Sequence, residues 1–182
     1  VLPSDHHVAN VDAFRNAVSE AVAVLSSNPE SIGTIGIEPN RPETGYGYLQ
    51  KGNSFCGKSL VVRKFEEKPN AERAEMFFKS GEYLWNGGIF LFNTATMNNE
   101  FKNIKPAVFE GVQKINSFNP ISKEIYDSIE SISFDYAIME NTRKTVFTVP
   151  ADFGWNDVGS WLSYYELLQK DEKGNASKGD VF

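Results

Sequence analysis

The stretch Phe153-Gly154-Trp155-Asn156-Asp157-Val158-Gly159-Ser160-Trp161 sets one carboxylate, Asp157, among glycines and large aromatic rings. Glycines at 154 and 159 permit close backbone approach or positive φ, while Trp155 and Trp161 exclude water and stiffen their surroundings. A carboxylate so placed suits the holding of a hard cation. The same residues also suit a strand-to-helix turn in which Asp157 or Ser160 caps a helix beginning near Trp161. A second carboxylate, Asp5, follows Val1-Leu2-Pro3-Ser4, which reads as the end of a buried strand, where open α/β sheets hold ligands. Asp5 is therefore a candidate metal ligand, or a cap of the turn that follows. His6 and His7 are adjacent, so an extended backbone points them to opposite faces and argues against a two-histidine metal site.

Other stretches carry groups suited to binding. In Pro42-Glu43-Thr44-Gly45-Tyr46-Gly47-Tyr48 the Gly-x-Gly lets backbone amides approach a ligand, and a tyrosine-flanked hairpin turn explains it equally. Gln50 breaks any dinucleotide fingerprint, and no Gly-Lys-Ser/Thr follows. Phe65-Glu66-Glu67-Lys68-Pro69 ends a strand with an acid and a base side by side. There Lys68 could neutralise a phosphate and Glu67 accept hydrogen bonds from sugar hydroxyls, or the run is simply a solvated charge pair. Asn86, between Trp85 and two glycines, offers a donor and an acceptor on what reads as a tight turn. Ser133-Phe134-Asp135-Tyr136-Ala137 reads first as a helix start capped by Ser133 or Asp135.

These groups need a scaffold. Val11, Phe14, Val18, Ala21, Val22 and Leu25 recur at helical spacing after Asn10 or Asp12, and Asn70 opens a second helix through Ala74, Phe77 and Phe78 that stops at Gly81. Thr34 to Ile37, Leu60 to Phe65, Ile89 to Phe92 and Thr145 to Val149 read as strands, with 39–47 a loop and Trp85 to Gly88 a turn. Three helical stretches follow the third strand. They run over 94–103, over Val108, Phe109, Val112 and Ile115, and over Ile121, Ile125 and Ile129; Trp161, Tyr164, Tyr165 and Leu168 describe a closing helix. A turn-rich run spans 171–179. Strands alternating with helices give an α/β class with a mixed sheet.

Composition bounds the rest. A chain of 182 residues with 41% hydrophobic and 23% charged residues is an ordinary globular length and balance, with one core as the expectation. A net charge of -6 argues against a nucleic-acid partner. Cys56 is the only cysteine, which excludes an internal disulfide or a cysteine-built zinc site and fits a reducing compartment, hence a cytoplasmic protein. No run approaches the roughly 18 apolar residues of a membrane span.

Taken in order, Leu2-Pro3-Ser4-Asp5-His6, Gly36-Ile37-Glu38-Pro39 with the loop to Tyr48, Phe65-Glu66-Glu67-Lys68-Pro69, Tyr83-Leu84-Trp85-Asn86-Gly87-Gly88-Ile89-Phe90, Ser133 to Ala137 and Gly154 to Trp161 resemble the sugar-1-phosphate nucleotidyltransferases. Within that family the bacterial mannose-1-phosphate guanylyltransferases are the most similar, on His6 after the aspartate and on the Trp-Asn-Asp turn. The resemblance covers essentially the whole chain, 1–182, as the sugar- and metal-binding portion of a single Rossmann-like nucleotide-diphospho-sugar transferase domain. It implies transfer of a guanylyl group from GTP to mannose 1-phosphate, giving GDP-mannose and pyrophosphate with Mg²⁺. Asp5 and Asp157 would hold the metal and Lys68 would pair with the sugar phosphate. Glu67, Asn86 and the Gly45 backbone would position the sugar hydroxyls, with Tyr46 packed beside them.

The family's opening loop, Gly-Gly-x-Gly-x-Arg-Leu-x-Pro, has no counterpart in this chain. The expectation is thus an N-terminally truncated fragment with little or no transferase activity of its own. Its sheet would have an exposed edge that a partner copy, as in a homo-oligomer, could cover. Two alternatives accompany this reading: a non-catalytic sugar-nucleotide-binding or assembly subunit, and a transferase for another sugar phosphate.

Overall fold

A computed structural model describes residues 1–115, 120–177 and 179. Lys178, within the turn-rich 171–179 run, and the last residues of the 1–182 span lie outside the described residues.

Five strands form the frame: β2 (Ile32–Ile37), β3 (Tyr48–Ser54), β4 (Leu60–Glu66), β5 (Tyr83–Phe92) and β6 (Val146–Ala151). They pair in the order β2-β5-β3-β4-β6, and β6 returns to β2, so the sheet closes on itself. Only the β2–β6 pairing is parallel, which makes the sheet mixed as expected. The expected exposed edge is not there among these strands, because closure gives each of them two neighbours. A separate two-residue antiparallel ladder joins β1 (His7–Val8) to β7 (Trp155–Asn156).

Strand alternation sends side chains to two hydrophobic cores. Ile35, Ile37, Tyr48, Trp85, Phe147 and Val149 meet Ala17, Ala21 and Val24 of α1 (Val11–Ser27) and Ala74 and Phe77 of α2 (Ala71–Ser80). Ile32, Leu49, Leu84, Phe90 and Val146 meet Met97 of α3 (Thr94–Ile104) and Ala137, Ile138 and Met139 of a π-helical turn, Asp135–Met139. The helix starts follow the sequence. Asn10 accepts the Ala13 amide at 3.0 Å and Asn70 accepts that of Arg73 at 2.9 Å, caps that contribute about 1 kcal/mol each. Gly81 ends α2 in the left-handed region at φ 66°.

Several expectations need correction. The segment 85–88 is not a turn but the middle of β5: Trp85 pairs with Ile37 of β2 and Tyr48 of β3, and Asn86 with Gly36 of β2. The glycines serve a bulge instead: between the Thr34–Phe90 and Gly36–Asn86 pairs, β5 advances further than β2, and Gly88 takes φ 69°. Strand β3 was not expected at all. Past Tyr48 and Leu49 its residues are polar and only partly covered, so the sequence gives no alternating pattern there. The second helix after β5 is α4 (Pro106–Gln113), and of the third only α5 (Lys123–Asp127) forms, leaving Ile121 and Ile129 outside it. The closing helix is α6 (Trp161–Leu167), with Ser160 as its cap. Finally, Asp5 does not end a strand. Val1 exchanges both backbone hydrogen bonds with Phe90, but Pro3 has no N–H to continue a ladder, and Ser4 and Asp5 form a bend before β1.

Among the described residues no helix is long and apolar enough to cross a membrane.

Candidate active site

A cleft of about 160 Å³ opens where the loop before β3, the end of β4, the β5 bulge, the π-helical turn and the segment after β7 converge. Of the residues singled out from sequence, Gly45, Tyr46, Glu67, Asn86 and Asp157 line it. Lys68 and Asp5 lie outside the lining. Lys68 stands at the rim, its ammonium 3.2 Å from the Glu67 carboxylate, and adopts φ 46°, which directs the chain sharply into Pro69. Asp5 is exposed, two residues ahead of the pairing of His7 with Asn156, the neighbour of Asp157, so the β1–β7 ladder brings the two aspartates to one region.

Asn86 is aimed by the bulge and almost fully buried. Its Oδ1 accepts the Thr34 hydroxyl at 2.9 Å and its Nδ2 donates to Asp135 Oδ1 at 3.0 Å. Gly47 is needed beside it, since a Cβ there would stand 2.6 Å from Glu67 Oε2 and 3.3 Å from the Asn86 Cβ. The Gly45 amide donates to Glu43 Oε1 at 3.1 Å, so the amide expected to face a sugar is already engaged.

Asp157 is half-buried in a tight turn. Its Oδ1 accepts both the Tyr46 hydroxyl at 2.8 Å and the Gly159 amide at 3.1 Å, whereas no donor among the described residues reaches Oδ2. Val158 sits at φ 53°, a costly conformation for a β-branched residue, of the kind that clusters at functional sites. The helix cap is Ser160 rather than Asp157, which frees the aspartate for another role.

Three side chains and two glycines that sequence reasoning does not single out as site residues, His6, Asp135, Trp155, Gly47 and Gly88, line the same cleft. Trp155 Nε1 donates to His6 Nδ1 at 3.0 Å, which leaves the His6 proton on Nε2. Burial lowers the His6 value against the pull of Asp5 and Asp157, favouring the neutral ring. Asp135 is not a cap; Ser133 Oγ accepts the Tyr136 amide, and the Asp135 carboxylate turns inward to Asn86. The only sequence signal for it was an acid opening the apolar run Tyr136 to Met139.

The cleft is acidic. Burial, then the charge of Asp135, raises the Glu67 carboxyl above its ordinary value in spite of Lys68, and burial raises Asp135 as well. A carboxyl raised on folding binds its proton more tightly in the native chain. Its stabilisation is present below the unfolded value, about pH 4.3, and is lost as pH rises through the raised native value. At pH 7 Glu67 therefore opposes folding. Glu67→Gln is expected to raise the thermal midpoint at pH 7, by less than the roughly 2–4 °C that 1 kcal/mol gives at this size, and by less still at pH 4. Calorimetry at the two pH values checks both the sign and the trend.

Among the described residues no group of three or more His, Cys, Asp or Glu is arranged to hold a metal ion. The chemistry available is that of two carboxylates, Asp5 and the open Oδ2 of Asp157. Such hard oxygen donors fit Mg²⁺, which commonly takes one or two carboxylates and completes its shell with waters and substrate phosphates.

Residues 1–174 match the nucleotidyl transferase family. The chain belongs to that family. Among curated proteins, this nucleotidyl transferase chain is 39% identical over its whole length to the mannose-1-phosphate guanylyltransferase RfbM of Salmonella typhimurium, and 40% identical to the xanthan biosynthesis protein XanB of Xanthomonas campestris. It spans 39% of the length of each of these relatives. A crystal structure described as a mannose-1-phosphate geranyltransferase from Thermus thermophilus superposes with a TM-score of 0.81 at 33% identity, over 94% of this chain and 49% of that one. One described as a mannose-6-phosphate isomerase from Helicobacter pylori superposes at 0.73 with 26% identity, over 85% of this chain and 62% of that one. The resemblance drawn from the motifs thus holds for family and fold.

Proposed function

We propose that the native protein transfers a guanylyl group from GTP to α-D-mannose 1-phosphate, releasing pyrophosphate and forming GDP-mannose, and that residues 1–182 are the sugar- and metal-binding portion of its transferase domain. The observation that carries this reading is the convergence of Gly45, Tyr46, Glu67, Asn86 and Asp157 on one cleft, from segments spread along most of the chain. The names of the relatives support the choice of mannose and of the guanylyl group.

In this reading an oxygen of the sugar phosphate attacks the α-phosphorus of GTP; the new P–O bond forms as the bond to the pyrophosphate oxygen breaks. No protein nucleophile takes part. Asp5 and Asp157 would hold a Mg²⁺, which would supply charge neutralisation for the phosphates when bound. Lys68, with its ammonium more than half exposed at the rim, pairs with the sugar phosphate. Glu67 and Asp135 accept hydrogen bonds from sugar hydroxyls, and Tyr46 and Trp155 form the aromatic wall against which the ring packs. Asn86 acts chiefly by holding Asp135, since its Oδ1 and one Nδ2 hydrogen already have partners.

The test is pyrophosphorolysis by the native full-length protein. Mg²⁺-dependent release of GTP and mannose 1-phosphate from GDP-mannose, with UDP-glucose left intact, is the expected result. Turnover of UDP-glucose in preference would reassign the substrate, and tight binding of GDP-mannose with no turnover would reassign the protein as a sugar-nucleotide sensor.

A further inference from the structure

Tyr46 sits in the cleft in an unusual way for a residue that merely flanks a ligand. It is 8% exposed, and its ring lies edge-on between Trp85 and Trp155, with centroids 5.0 and 5.1 Å away. Contact with two indoles and near-complete burial restrict the phenol. Its hydroxyl donates to Asp157 Oδ1 at 2.8 Å, and the Gly159 amide donates to the same oxygen. Two donors on Oδ1 fix the carboxylate about its Cβ–Cγ bond and leave Oδ2 as the open oxygen.

The surroundings of Tyr46 tie the same unit to Asp5. Trp155, one of its two aromatic neighbours, holds His6 through its indole N–H, and the β1–β7 ladder pairs Val8 with Trp155 and His7 with Asn156. The segments that carry Asp5 and Asp157 are therefore clamped together with Tyr46 on the clamp's inner side. The Arg41 guanidinium, 5.6 Å from the Trp85 ring centroid and hydrogen-bonded to Glu43, stiffens the loop that delivers Tyr46.

The geometry points to Tyr46 as a positioning residue that orients Asp157 for a divalent cation, so that one loop serves the sugar side and the metal side of the cleft together. The inference rests on the reading of Asp157 as a metal ligand. A donor to a ligating carboxylate is worth about 10–100-fold in metal affinity. Hydrogen bonds to ionised groups are also stronger than neutral ones, and this one is shielded by two indoles.

The experiment uses the native full-length protein with Mn²⁺ as the probe. Free Mn²⁺ is followed by electron paramagnetic resonance in the presence of GDP-mannose, for wild type, Tyr46→Phe and Asp157→Asn. GDP-mannose affinity in EDTA and indole emission serve as controls, since phenylalanine keeps the ring between the tryptophans. Tyr46→Phe is expected to weaken Mn²⁺ binding about tenfold, a loss clearly larger than any in metal-free GDP-mannose affinity, with indole emission held by the retained ring. Mn²⁺ affinity within about twofold of wild type, with binding lost in Asp157→Asn, would overturn the positioning role and leave the metal role of Asp157 standing. A Tyr46→Phe variant that loses metal-free GDP-mannose affinity or shifts its emission to a similar degree would also overturn it, in favour of packing. Undiminished Mn²⁺ binding by Asp157→Asn would remove the metal reading itself, and this inference with it.

Discussion

Asp157→Asn is expected to lower Mg²⁺-dependent turnover of GDP-mannose by the native full-length protein about a thousandfold, the scale on which loss of a preorganised electrostatic contact at developing charge is felt. Asparagine matches the shape, and its Oδ1 can still accept the Tyr46 hydroxyl and the Gly159 amide. What disappears is the negative charge at the Oδ2 position, replaced there by an amide donor that repels a cation. Folding should be nearly untouched, because Asp157 is only half-buried and its turn is held by other contacts, among them the Asn156 side chain on the Val158 amide at 2.7 Å. Initial rates over a range of Mg²⁺ concentrations, together with a thermal melt, check both halves. A variant retaining a tenth of wild-type turnover at saturating Mg²⁺ would place the metal elsewhere.

The second large effect concerns stability. Asn86→Ala should cost about 3 kcal/mol and lower the thermal midpoint on the order of 6–12 °C. The cost has two main sources. The Thr34 hydroxyl, fully buried under β5, loses its acceptor, and the Asp135 carboxylate, already disfavoured by burial, loses a donor. Each buried polar group left without a partner costs about 1–3 kcal/mol. Thr34→Val removes the hydroxyl instead of stranding it and should cost clearly less. Urea denaturation of the two variants side by side decides the matter, and equal losses would mean that the Thr34–Asn86–Asp135 chain is not what holds the bulge.

Much of this molecule could be read from its residues because local chemistry and tertiary role agree. Asn70 caps a helix where the sequence places a cap, Asn10 and Ser160 are each one of the two caps it offers, and β2 is a short apolar run that ends up buried on both faces. Elsewhere the two levels diverge. Trp85-Asn86-Gly87-Gly88 has the composition of a turn, and it is the pairing of Trp85 with β2 and β3 and of Asn86 with β2 that carries the segment into a strand. Strand β3 owes its existence to its neighbours, since Gln50 to Ser54 have no apolar alternation of their own.

The site divides in the same manner. Gly45, Tyr46, Glu67, Asn86 and Asp157 stand out because unusual residue types cluster around them, and the fold sets all five along one cleft. Asp135 looked like a helix cap, and its inward aim depends on the π-helical turn and on Asn86, neither of which spacing reveals. Paired histidines on an extended segment cannot share a metal, which argues against a metal role for His6 with His7. His7 is indeed exposed while His6 turns to Trp155, a partner 149 residues away that local spacing does not reveal.

The closing pairing of the frame bears on how the chain is made. Ile32 of β2 pairs with Val146 of β6, and everything else in the ring lies between them in sequence. During synthesis β2 emerges some 5–20 s before its parallel partner, at ordinary elongation rates of 5–20 residues per second. Over that interval β2 can join β5 but offers the backbone of its other margin, uncharged along its whole length, to any extended segment nearby. Such long-range parallel pairing is intrinsically slow to form. The nascent chain therefore has a built-in vulnerable period, and its yield in the cell should depend on holdase chaperones far more than the closed native sheet would indicate.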